Sequence, residues 1–231
     1  MNRITRLFVF MLLVLCIAAP SWAKDSAGRY LVVLDPGHGG IDKGVRISGD
    51  VTESDITLAM AQFIREDLEK AGIAVKLTRT GDGASLADRI KIANAGGTDL
   101  FLGIHVNAGF GKESAGYELY FPGFSSPPGS ENDSRDIVKD MVKTQNLNES
   151  VRLARIVQKN LEPVLPRKDR GLREAPVRIQ PGIPALAIEL GFASNPGEKK
   201  QITSRDVQKK IASALAKSIQ EFKSTGNKNA P

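Results

Sequence analysis

The chain has 231 residues, 32 Lys plus Arg against 26 Asp plus Glu, a formal net charge of +6 and one cysteine. That length asks for one domain of ordinary size, and a lone thiol excludes both a disulfide framework and a thiolate-built metal site. The mild positive excess says nothing of fold but suits work beside an anionic polymer.

Read from the N-terminus, Arg3 and Arg6 precede an apolar run over 7–19 and then Pro20, Ser21, Trp22 and Ala23. This is the layout of a secretory signal peptide with small residues at the −3 and −1 positions, so cleavage is expected after Ala23. The run of 13 residues is too short to span a bilayer comfortably. The residue before Cys16 is Leu15, where lipidation needs a small side chain. No membrane span is expected after cleavage, and export argues against nucleic acid as partner. Periplasmic location is expected, with full secretion as the alternative. The remaining chain has no cysteine and four more basic than acidic side chains, so a metal would be held by His and carboxylates.

Short β-rich apolar runs then alternate with helical patterns. Segments 30–34, 74–78, 100–104, 117–121, 177–179 and 185–188 read as strands. Ser54 reads as the cap of a helix with Ile56, Met60, Phe63 and Ile64 on one face, ending near Gly72. Ser85 through Asp88 resembles a capping box that opens a second helix through Ile90 and Ala93. A third helix is expected over 150–161, and a fourth over 207–222 with Val207, Ile211, Leu215 and Phe222 on one stripe. Strand and helix in alternation predict an α/β domain over 24–223. Segment 124–148, rich in Ser, Pro, Gly and Asn before a short amphipathic stretch through Ile137, Val138, Met141 and Val142, is expected to be a surface insertion acting as a lid or partner-docking element. The tail 224–231 is expected to be disordered.

Both histidines of the chain follow apolar strands, His38 after Leu34-Asp35-Pro36-Gly37 and His105 after Leu102-Gly103-Ile104. Ligands of α/β sheets gather at the carboxyl ends of strands, so both imidazoles are candidates for one site. Glycines at 37, 39 and 40 suit a tight loop around His38; a phosphate-cradling loop is the competing reading, and no Lys-Ser/Thr follows to support it. Two His and one carboxylate form a common zinc hydrolase set with one position left for water. Glu53, fifteen residues after His38 and just before a helix, supplies that carboxylate or merely complements the helix dipole. Glu189 ends the apolar run 183–188, where a charge belongs at the mouth of a site or in an ion pair with an arginine. In a site it would serve as general base. Arg79, Arg89, Asn94 and Asn107 read as bracing residues.

Five ordered pieces, namely Leu34-Asp35-Pro36-Gly37-His38-Gly39-Gly40, Glu53 before a helix, Leu77-Thr78-Arg79, Gly103-Ile104-His105-Val106-Asn107-Ala108, and the run 188–198, closely resemble the zinc-dependent N-acetylmuramoyl-L-alanine amidases of the cell-separation type. The resemblance implies a single α/β domain with a mixed, roughly six-stranded sheet flanked by helices. It implies one zinc ion held by His38, Glu53 and His105, catalysis by Glu189, and hydrolysis of the amide between the lactyl group of N-acetylmuramic acid and L-alanine in peptidoglycan. Members of this type often carry a longer insertion that plugs the site until an activator removes it. Here the insertion is short, although Glu131-Asn132 is similar to part of that plug. An activator protein acting on 124–148 is therefore an implied partner. A zinc peptidase acting further along the peptide stem, and a non-catalytic wall-binding or division scaffold, are the alternative readings.

Overall fold

The computed structural model describes residues 29–123, 134–165, 169–175 and 182–226. The expected signal peptide and the expected strand 177–179 lie outside those residues.

The elements, in chain order, are β1 (Leu31–Pro36), β2 (Arg46–Ser48), β3 (Val51–Thr52), α1 (Glu53–Lys70), β4 (Ala74–Leu77), α2 (Leu86–Ala93), β5 (Leu100–Asn107), β6 (Tyr117–Pro122), α3 (Ser134–Leu161), β7 (Asp169–Ala175), β8 (Ala185–Phe192), α4 (Pro196–Ile202) and α5 (Arg205–Gly226). The main sheet is six-stranded in the order β4-β1-β5-β8-β6-β7. β4, β1, β5 and β8 run parallel, β6 pairs antiparallel with β8, and β7 runs parallel to β6. The sheet is mixed and the fold is α/β, as the sequence implies. No helix of the described residues is long and apolar enough to cross a membrane.

Local chemistry explains the helix starts. Asp55 accepts hydrogen bonds from both the amide and the hydroxyl of Thr52, at 2.8 and 2.7 Å, so Thr52 caps α1 and Ser54 lies inside its first turn. Ser85 caps α2 as its sequence suggests: its Oγ accepts from the Asp88 amide at 3.2 Å, and Asp88 accepts from the Ser85 amide at 3.3 Å. Asn195 caps α4 by accepting from the amides of Gly197 and Glu198, with Pro196 at the first helical position.

Three further differences separate the structure from the sequence reading. The amphipathic stretch near 137–142 is not a separate small helix, because α3 is continuous from Ser134 to Leu161. No glycine or proline interrupts those 28 residues, so helix propagation, once begun, costs little. Residues 124–133 of the expected insertion lie outside the described residues. At the other end α5 continues to Gly226, leaving 227–231 of the expected tail outside the description. β7, with Asp169, Arg170, Arg173 and Glu174 in seven residues, shows no apolar alternation because it is an edge strand, and charges there discourage pairing with other chains.

α1, α3 and α5 cover one face of the sheet. Their Met60, Ile64, Leu153, Leu161, Ile211, Leu215 and Phe222 join Val32, Leu34, Leu102, Ile104, Leu119 and Ile188 of the strands in one buried cluster. On the opposite face, Ala93 of α2 packs on Val33, Phe101 and Ala185. Among the described residues, the rest of that face is left to line a cleft. The connection leaving β1 leads to β4 on one side and those leaving β5 lead to the strands on the other, so the carboxyl ends of β1 and β5 flank the point where strand order reverses.

Candidate active site

His38 and His105 sit at that point. His38 follows β1 in a left-handed conformation with φ 60°, which costs a non-glycine residue on the order of 1 kcal/mol. His105 lies near the end of β5, and the amide of Gly37 donates to the carbonyl of Ile104 at 2.8 Å, so the β1–β5 ladder extends to the loop that carries His38. The imidazoles meet edge to face with centroids 5.4 Å apart. Gly37 permits this approach, because a Cβ there would fall 2.4 Å from Nδ1 of His105. Gly44, at φ 66°, clears space on the other side: a Cβ would come within 2.5 Å of Glu53 Oε2 and 2.8 Å of the His38 ring.

Glu53, the first residue of α1, is 2% exposed. Its Oε1 lies 3.1 Å from His38 Nε2 and 3.3 Å from His105 Nδ1. The amides of Val106 and Val45 donate to its two oxygens at 3.0 and 3.1 Å. These bonds fix the carboxylate before any ligand arrives. Burial pushes its pKa up, yet the hydrogen bonds from both imidazoles and both amides prevail and hold it down at about 2. His38 is raised to about 9, first by its hydrogen bond with Glu53 and less by Asp42, against the opposing pull of burial. Asp42 accepts from His38 Nδ1 at 2.9 Å, which leaves Nε2 directed at Glu53. One ligand atom from each of His38, Glu53 and His105 lies within 4.8 Å of the others.

Two buried arginines brace this arrangement. Arg79 donates from Nε to the carbonyl of Pro36 at 3.0 Å and from Nη2 to those of Gly37 and Ser54 at 3.1 and 2.8 Å. One guanidinium thereby ties the His38 loop to the first turn of the helix that carries Glu53. Arg89 clasps Asp35 with two bonds of 2.7 Å and donates to the carbonyl of His38 at 3.3 Å.

Glu189 comes from β8, where it stands in register with His105 on one side and Glu118 of β6 on the other. Its Oε2 is buried and, among the described residues, has no hydrogen-bond partner. Burial pushes its pKa to about 7; the His105 imidazole pulls it down, and the Glu53 and Glu118 carboxylates push it up. No arginine pairs with it among the described residues, so the ion-pair reading has no support there. Both histidines, Glu189, Asp35, Asp42, Arg89 and Tyr120 line a cleft of about 520 Å³.

Sequence reasoning missed three carboxylates around this centre. Asp42 orients His38. Glu118, 3% exposed, accepts from Arg170 Nε and the Tyr120 hydroxyl at 2.7 Å each and from Asn107 Nδ2 at 3.3 Å; Asn107 thus braces, as expected. Glu198 accepts from the amides of Gly116 and Phe192 at 2.7 and 2.6 Å, pinning the end of β8 to the loop before β6. Glu118 had a signal, being a charge inside the apolar run Tyr-Glu-Leu-Tyr-Phe. Asp42 sits in a polar segment where nothing marks it, and Glu198 closes the run 188–198 without any sign of its role.

Comparison with known proteins agrees with this fold. The family model for N-acetylmuramoyl-L-alanine amidases matches residues 32–221. The amidase AmiA of Escherichia coli is 32% identical over 223 residues, spanning 85% of this chain and 77% of that protein. The crystal structure of an N-acetylmuramoyl-L-alanine amidase from Clostridium difficile superposes with a TM-score of 0.69 at 28% identity, covering 85% of this chain and 98% of that one. The CwlD amidase of Clostridioides difficile, solved in complex with the GerS lipoprotein, gives 0.70 at 26% identity over 85% of this chain and the whole of that one. By sequence and by fold this chain belongs to the N-acetylmuramoyl-L-alanine amidase family.

Proposed function

We propose that this chain is an exported, zinc-dependent amidase that hydrolyses the bond between the lactyl carbonyl of N-acetylmuramic acid and L-alanine in peptidoglycan, with His38, Glu53 and His105 holding one zinc ion and Glu189 as the catalytic base. The observation that carries this reading is the convergence of three donor atoms within 4.8 Å in the same cleft as an unpartnered carboxylate oxygen on Glu189.

The donor set fits zinc. Two imidazole nitrogens and one carboxylate oxygen are a common catalytic ligand set, and the Asp42 bond to His38 is the outer-shell contact that fixes a ligating imidazole. A bound zinc ion supplies Lewis acidity, easing deprotonation of water and polarising the scissile carbonyl. Glu189 Oε2, which has no competing donor among the described residues and a pKa raised to about 7, accepts the proton of the attacking water and returns it to the leaving nitrogen. Arg79 and Arg89 hold the loop and the helix so that the donor atoms converge. Once the C–N bond breaks, L-alanine becomes the free amino terminus of the peptide.

Arg3, Arg6 and the short apolar run after them support export to the periplasm and removal of 1–23, and a role in daughter-cell separation follows from the resemblance to cell-separation amidases. A protein partner finds support in the likeness to an amidase solved with a lipoprotein; its action on 124–148 rests on the resemblance alone.

Assays of turnover and metal content test the roles together. Glu189→Ala is expected to keep its zinc and lose turnover by orders of magnitude, whereas His38→Ala and His105→Ala lose zinc and turnover alike. Near-normal turnover in the first variant, or unchanged zinc stoichiometry by elemental analysis in the others, removes the corresponding assignment.

A further inference from the structure

The register of the sheet places Asp35, Gly103, Ala187, Tyr120 and Arg173 in one row across β1, β5, β8, β6 and β7. The neighbouring row holds His105, Glu189 and Glu118. Registered neighbours present their side chains on the same face of a sheet, so Arg173 closes a track that starts at the candidate metal ligands and runs out to the edge strand.

The charges along that track do not balance at its outer end. Asp35 is neutralised by the two-pronged clasp of Arg89. Glu118 is buried and takes its shortest cationic contact from Arg170 Nε, 2.7 Å from Oε1. Arg173 Nη1 lies 3.5 Å from that same oxygen, so two guanidiniums share one carboxylate and one positive charge is left over. Arg173 is the more exposed of the pair, with 49% of its side chain open against 31% for Arg170. Among the described residues this contact is its only ion pair, and it makes no hydrogen bond. Glu118 does not need Arg173 for neutralisation, and the forked donor of Arg173 is free to meet an incoming carboxylate.

We propose that Arg173 is the anchor of a subsite for the acidic peptide stem, taking the free carboxylate of the second residue beyond the cut bond; this rests on the amidase reading above. The spans agree. β7 lies two strand spacings from β8, about 10 Å, and two extended residues beyond the scissile nitrogen reach about 7 Å. An arginine side chain bridges the difference.

Calorimetric titration of the whole protein with an L-alanyl-γ-D-glutamyl stem peptide, and with the same peptide carrying a carboxamide in place of the free carboxylate, tests this. The wild type is expected to bind the acid about tenfold more tightly than the amide, the gain of one charge-assisted pair at a partly exposed site. Arg173→Gln removes that preference and Arg173→Lys keeps part of it, and melting curves verify that each variant is folded. A wild type without preference, a preference that survives Arg173→Gln, or no binding of either peptide at millimolar concentration overturns the proposal. If the preference behaves as expected but peptidoglycan is not cut at the muramoyl–alanine bond, the subsite stands and the amidase reading falls.

Discussion

Glu189, proposed as the catalytic base, has a buried carboxylate oxygen without a hydrogen-bond partner among the described residues, and its position should weaken the metal-free fold in a pH-dependent way. A carboxyl that titrates near 4.5 in the unfolded chain and at about 7 in the folded one withholds about 3 kcal/mol from the metal-free fold at pH 8, each pH unit of difference being about 1.4 kcal/mol. Because the folded value lies above the unfolded one, this group favours folding fully below about 4.5, and that contribution is lost as pH rises through about 7. Glu189→Gln is nearly isosteric and carries no charge at any pH. Its amide retains part of the desolvation penalty, so the expected gain at pH 8 is about 2 kcal/mol, or about 4–8 °C in Tm for a chain of this size. At pH 4 the variant and the wild type should melt together. Thermal unfolding followed by circular dichroism, on protein dialysed free of metal, gives the comparison. An equal difference at both pH values, or a wild type more stable than the variant at pH 8, would show that burial does not raise the Glu189 carboxyl and would weaken its role as a base poised near neutrality.

Two further substitutions probe how the site is held. Gly37→Ala places a Cβ 2.4 Å from His105 Nδ1; we expect a loss of about 1–3 kcal/mol in stability from the clash and zinc uptake falling with it, measured by unfolding and elemental analysis, while unchanged uptake would mean that the imidazole moves aside without consequence. Asp42→Asn weakens the charge-assisted bond to His38 Nδ1 and should lower zinc affinity about 10–100-fold in competition with a fluorescent chelator; wild-type affinity would show that this bond does not orient the ring.

Three of the four proposed site residues break a local pattern in the sequence. His38 and His105 interrupt apolar strands at their carboxyl ends, and Glu189 puts a charge at the end of an apolar run. Glu53 was the weakest case, since an acid at the start of a helix has an ordinary explanation. Only the structure shows Val45 and Val106 amides and two imidazoles around it. β7 escaped notice because an edge strand need not alternate, and its register with Tyr120, which brings Arg173 toward Glu118, depends on tertiary pairing. The cap of α1 went to Thr52 because Asp55 reaches back to it, a choice that the Thr-Glu-Ser string leaves open.

The most direct test of the account is mass spectrometry of purified peptidoglycan digested by this protein with chelator, without it, and after zinc is restored. The account requires peptides with a free L-alanine amine and glycan bearing a free lactyl carboxylate, lost on chelation and regained with zinc. Cuts further along the stem would make the protein a peptidase instead, and product formation indifferent to chelator would contradict the proposed metal centre of His38, Glu53 and His105.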